Sequence, residues 1–211
     1  MGAGKPSDIY PWHWSIYEWM DGKSASETSE NDLDLEQVSE QLAGFLCELH
    51  KVDIYNAPEP GLHNYYRGAH LSIYDDSIRN ALKSLQGVVE TQKIINLWDK
   101  AIDSRWGNKL VWVHGDFAVG NILIRGRKVS AIIDFGCIAI GDPACDLVIA
   151  WTFLKGKSRE IFKRKMCMDK STWERARGWA LWKSVITLAD IKDKSSAESM
   201  GQKRIIEELI G

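Results

Sequence analysis

The chain has 211 residues, enough for one domain or slightly more. Its formal charge of −2 excludes a general electrostatic affinity for nucleic acid or anionic membranes, and 45% apolar residues is the share of an ordinary globular core. No apolar run approaches the ~18 residues of a membrane span, no signal peptide is visible, and Cys47, Cys137, Cys145 and Cys167 form no C-x-x-C pair, so a cytoplasmic protein with reduced thiols is expected.

Residues 1–22 are rich in Gly, Pro and Trp, with a β-like run at Trp14–Trp19 that closes on Asp21-Gly22. Gly2-Ala3-Gly4-Lys5 looks like the tail of a P-loop, but Pro6 stands where Ser or Thr is needed, and the segment reads as a flexible terminus. Asp32–Lys51 is an amphipathic helix. Leu35, Val38, Leu42, Phe45, Leu46 and Leu49 recur at helical spacing, and Asn31 or Ser29 is the expected cap. An irregular stretch follows over 55–70, then helices near Asp75–Leu85 and Val89–Arg105. Leu110–Val113, Asn121–Ile124 and Val129–Ile133 read as strands, the last two joined by the polar turn Arg125–Lys128. Pro143–Leu154, Arg159–Cys167, Thr172–Ile191 and Ala197–Ile210 read as helices. The fold class is α+β, mainly helical, with a small β-hairpin region at its centre.

That hairpin carries the chemistry. Asp116 and Asn121 lie at the two ends of one loop, and the hairpin brings Asp134 back towards them. Mg²⁺ prefers oxygen ligands and usually takes one or two protein groups plus phosphate oxygens. Asn121 and Asp134 supply oxygens of that kind. Asp116 is left to orient and deprotonate an attacking hydroxyl. A loop Asp or Asn can also cap a turn. For Asp142 in Gly-Asp-Pro, capping is the better reading. For Asp116, Asn121 and Asp134 together it is not, because a carboxylate directly after four apolar strand residues is costly unless paired or used. His114 reads as a satisfied structural histidine.

The run His114-Gly115-Asp116-x-x-x-x-Asn121, followed by Ile133-Asp134-Phe135-Gly136, resembles the aminoglycoside phosphotransferase and choline kinase family. The resemblance implies a protein-kinase-like fold, with residues 23–211 as the helical catalytic lobe, 14–22 as a hinge-like segment and 1–13 as a lobe remnant or flexible terminus. It implies Asp116 as catalytic base, Asn121 and Asp134 as magnesium ligands, and His114 as a brace of the loop. It places Asp146, in Gly141-Asp142-Pro143-Ala144-Cys145-Asp146, on the catalytic-loop backbone. Backbone groups around Glu18–Met20 would meet the adenine of ATP. In that family an N-terminal lobe supplies a phosphate-binding lysine and its glutamate. Only about a dozen residues precede Trp14, so this chain is expected to lack that clamp and to be weakened or inactive alone.

The acceptor is expected to be a small-molecule hydroxyl. Asp21, Glu27, Glu30, Asp32, Asp34, Glu36 and Glu40 would suit a cationic aminoglycoside, although acids near a helix start also complement its dipole. Phe117-Ala118-Val119-Gly120 carries no charge, which suits a less cationic antibiotic such as a macrolide equally well. Trp179 and Trp182 read as core, and the basic run Lys155–Lys165 as a solvated helix face. Trp12, Trp14 and Trp19 suggest self-association through the hinge end. Two other readings fit the same residues: a catalytically silent binding or scaffold protein, and a metal-dependent phosphohydrolase.

Overall fold

Gly2–Gly4 (β1) and Trp14–Ile16 (β2) pair antiparallel, with Gly4 opposite Trp14, in a computed structural model that describes residues 1–211. The start expected to be flexible is thus one arm of a ribbon. The reason is local: a Cβ on Gly4 would lie 2.1 Å from the Trp14 ring, so only glycine lets the indole cover that backbone. The ribbon stays largely exposed, and the buried core begins only at Ala25.

Lys23–Ser24 (β3) then joins a small sheet, and Leu35–Leu49 (α1) follows after two 3₁₀ turns. Val38, Leu42 and Leu46 recur every four residues and are fully buried. Each such side chain contributes roughly 1.5–3 kcal/mol by leaving water. The helix starts later than its pattern suggests. Glu30–Asp32 tightens into a 3₁₀ turn, Arg127 holds the Asn31 and Leu33 carbonyls, and Asp34 caps the helix by accepting from the Gln37 amide at 3.1 Å. Neither Asn31 nor Ser29 is the cap.

Asp75–Ser84 (α2) and Thr91–Ile102 (α3) precede Val111–Val113 (β4). Ile122–Arg125 (β5) and Lys128–Ile132 (β6) form the central hairpin, with β3 on the other edge of β5. Ala139–Gly141 (β7) pairs antiparallel with β4, Val113 facing Ala139. The stretch expected as one helix over 143–154 is instead a 3₁₀ turn at Pro143–Cys145 and a short helix, Ile149–Thr152 (α4). Its amides bond three residues back, Asp146 to Pro143 and Leu147 to Ala144, which leaves the Asp146 carboxylate to reach the strand side.

Gly156–Met166 (α5) packs against α1, and Lys170–Asp190 (α6) runs through the middle of the helical layer. Ala197–Ile210 (α7) and α2 and α3 all pack on α6. That central place explains why Ala176, Trp179, Leu181 and Val185 are all buried although they do not share one face. No helix is long and apolar enough to cross a membrane.

Candidate active site

The loop after β4 is fixed from below. The Asp146 carboxylate accepts from the His114 amide at 2.6 Å and the Gly115 amide at 2.9 Å. Burial pushes this carboxyl up, against the pull of His114 and of those two amides. His114 is fully buried. Its Nε2 donates to the Ile133 carbonyl at 3.0 Å and its Nδ1 accepts from the Asp116 amide at 3.3 Å, so one tautomer satisfies both nitrogens. His114 therefore ties the loop to the strand that leads to Asp134. Gly115 has φ +80°, and a Cβ there would lie 2.2 Å from the Cys137 carbonyl oxygen. Only glycine makes this turn without displacing the backbone that follows Asp134.

Asp116 and Asn121 meet across the loop. The Asn121 amide nitrogen donates to the Asp116 backbone oxygen at 2.9 Å and to its Oδ2 at 3.1 Å. The Asn121 carboxamide oxygen accepts no protein hydrogen bond and stays open to a ligand. The Asn121 backbone oxygen accepts from the Ile133 amide at 3.0 Å, which sets Asp134 beside this loop. Asp134 sits in the left-handed region at φ +63°, a conformation that Asp tolerates better than most residues, and its Oδ1 accepts from the Gly136 amide at 3.3 Å. The donor set on offer, a carboxamide oxygen and an exposed carboxylate, suits a hard divalent cation. No group of three His, Cys, Asp or Glu side chains converges to hold a metal. A cation here would complete its shell from water or phosphate.

Two cations at the site were not foreseen. Lys183, on α6, pairs with Asp116 at 3.2 Å. Arg67, from the irregular stretch before α2, lines the same cleft and lies 4.7 Å from the Trp182 ring centroid. Burial pushes the Asp116 carboxyl up, but Lys183, the Asn121 amide and Arg67 together outweigh it and hold the group below its ordinary value. The recess against Asp116 holds about 10 Å³, room for one water-sized group. Trp179 closes it and is buried, whereas Trp182 is half-exposed and carries Arg67 on its face. The core reading thus holds for Trp179 and only partly for Trp182.

Asp142 caps the 3₁₀ turn through the Ala144 amide at 3.0 Å, but it also has a second partner. It forms a buried ion pair with Arg175 at 2.6 Å, which ties α6 to the segment carrying Asp146. Glu18 and Met20 lie in the exposed run before β3, and no side-chain hydrogen bond joins them to the Asp116 loop. Cys137 lies close to the site, and burial with Asp116 nearby pushes its thiol up. Three of the seven acids in that run are ion-paired: Glu30 with Lys155, Glu36 with Lys157, and Asp21 with Arg125. The basic stretch around α5 is therefore partly a paired surface, not simply a solvated one.

A small central hairpin packed on a helical layer, with a braced H-G-D loop, an Asn at its far end and an Asp after the hairpin, defines a protein-kinase-like fold. The comparisons with known proteins agree. The family model of the phosphotransferase enzyme family matches residues 2–179, and the chain belongs to that family. An aminoglycoside 3'-phosphotransferase of Escherichia coli is 28% identical over 161 residues, and one of Salmonella typhimurium is 29% identical over 164. Both alignments cover 72% of this chain and 56% of the relative, so the chain spans little more than half the length of these curated proteins. Among solved structures, a thermostable mutant of aminoglycoside phosphotransferase APH(4)-Ia, in complex with AMP-PNP and hygromycin B, superposes with a TM-score of 0.65. It is 15% identical, over 100% of this chain and 74% of that one. The GDP and kanamycin complex of APH(2")-IIIa gives 0.64 at 16% identity, over 98% of this chain and 73% of that one. At these identities the likeness establishes the fold.

Proposed function

We propose that the chain is the catalytic lobe of a phosphotransferase that moves the γ-phosphoryl group of ATP onto a hydroxyl of a small molecule. The observation that carries this reading is the Asp116–Asn121 contact, with Asp134 held beside it by the Ile133 amide. Asp116 would accept the proton of the attacking hydroxyl. Its carboxylate is half-buried and fixed by Asn121 and Lys183, so it can orient the nucleophile as well as deprotonate it. Asn121 and Asp134 would hold Mg²⁺, which when bound neutralises charge on the phosphates. His114 and Asp146 position the loop without touching a substrate. Backbone groups around Glu18 and Met20 would face the adenine. Membership of the phosphotransferase enzyme family supports the reaction class, and the aminoglycoside phosphotransferases among the relatives make an antibiotic hydroxyl one acceptor to try.

Calorimetry tests the donor side. Mg²⁺-dependent ATP binding to the full chain is expected, and Asp134→Ala should weaken it while Asp116→Asn should not. Binding that is indifferent to Mg²⁺ and to Asp134→Ala would refute the assignment.

A further inference from the structure

Two N–H donors that line the recess beside Asp116, Arg67 Nε and the Trp179 indole, have no acceptor. Arg67 forms no ion pair, and its Nε is buried without a partner. The Trp179 indole N–H is likewise buried without an acceptor, in a side chain only 2% exposed. Both line the same cleft as Lys183. The one carboxylate there, Asp116, already receives Lys183. Buried N–H groups left unpaired are costly, so two in one recess mark a place built for an acceptor atom.

We propose that Arg67, Lys183 and the Trp179 indole form an anion subsite that recognises a carboxylate or phosphate carried by the acceptor next to its reacting hydroxyl. The proposal rests on the phosphotransferase reading and names its substrate class. The Arg67 guanidinium lies against Trp182 at 4.7 Å and Trp179 at 5.7 Å, which fixes its plane. A fixed guanidinium is suited to binding two oxygens of an oxyanion at once. An ammonium group at the same place would meet two cations, and the one carboxylate there, Asp116, is already paired with Lys183. Part of the acidic run is engaged as well, while Glu27, Asp32 and Glu40 keep no ion-pair partner. Glu36 is held by Lys157 at 2.7 Å, Asp21 by Arg125 at 3.3 Å, and Asp34 by the Gln37 amide at 3.1 Å. A hydroxy acid or a phosphorylated alcohol fits this wall, and a polyamine does not.

The test uses the indole N–H resonances of the full chain, uniformly labelled with ¹⁵N, with the Trp179 signal assigned by Trp179→Phe. Tartrate supplies the carboxylate arm, glycerol 3-phosphate the phosphate arm, and kanamycin the cationic one. At least one anion should move the Trp179 resonance saturably, and kanamycin should not. Arg67→Gln and Lys183→Gln should each weaken the anion by about tenfold or more, and Arg67→Lys should retain part of the affinity. A Trp179 signal that ignores both anions, or that answers to kanamycin, overturns the proposal. So does loss of the anion shift under saturating Mg·AMP-PNP, which would give the subsite to the donor phosphate. If Arg67→Gln does not fold, the ligand series on the unaltered chain decides. Anion binding in a chain that fails to bind Mg·ATP would sink the phosphotransferase reading and leave the subsite standing. The reverse result would sink the subsite alone.

Discussion

Lys183 Nζ lies 3.2 Å from Asp116 Oδ1, across 67 residues of sequence. The contact joins α6 to the loop after β4, so the central helix of the helical layer bears directly on the proposed base. Lys183 holds one oxygen of Asp116 while Asn121 holds the other. Lys183→Gln is expected to lower kcat by about a hundredfold through misplacement of the base. Lys183→Arg should restore part of it. Steady-state kinetics on the three proteins checks this, and an unchanged kcat in Lys183→Gln would remove Lys183 from the site.

The Gly115 turn should tolerate no side chain. Gly115→Ala would place a methyl group 2.2 Å from the Cys137 oxygen at a φ of +80°. Roughly 1–3 kcal/mol of backbone strain is expected, together with a displaced Asp116 and a large loss of turnover. Denaturation and kinetics on the same preparation measure both.

Asp142 ties the turn before α4 to α6. Its ion pair with Arg175 is buried, with the two side chains 8% and 1% exposed. Breaking it by Arg175→Met leaves a buried carboxylate unpaired and should cost about 3–5 kcal/mol in urea denaturation. Replacing both partners with apolar residues should recover much of that loss.

His50 gives the fold a pH dependence. It follows the last turn of α1, its Nε2 is buried without a partner, and burial lowers its pKa from 6.5 to about 4. The unfolded chain therefore takes up a proton at higher pH than the folded one. Stability should be fully present above about 6.5 and should fall as the pH drops towards 4. His50→Gln should flatten that slope in thermal melts across this window.

The motif residues were legible because their chemistry is local. H-G-D, the Asn at its far end and the Asp after the hairpin lie within one short stretch, and short apolar runs rich in β-formers mark the strands between them. The helices were legible wherever apolar residues share one face, as in α1. Lys183, Arg67 and Arg175 were not. Lys183 and Arg175 reach their partners, and Arg67 its place against Trp182, across distances that no spacing rule covers, and Lys183 sits inside a helix whose apolar residues face several ways. The N-terminal strand escaped because glycines weaken strand signals, and here glycine is needed to let Trp14 cover the backbone. The helix cap moved to Asp34 because Arg127, nearly a hundred residues away, stabilises the turn before it.

The central claim is that Asp116 acts as the base of a phosphoryl transfer. The most direct measurement is transfer of labelled phosphoryl from Mg·ATP to a panel of hydroxyl compounds, comprising aminoglycosides, macrolides, hydroxy acids and sugar phosphates, by the full chain and its Asp116→Asn variant. Transfer to at least one acceptor is expected, reduced roughly 10²–10⁴-fold in Asp116→Asn with ATP affinity retained. Undiminished transfer by Asp116→Asn would contradict the base role of Asp116.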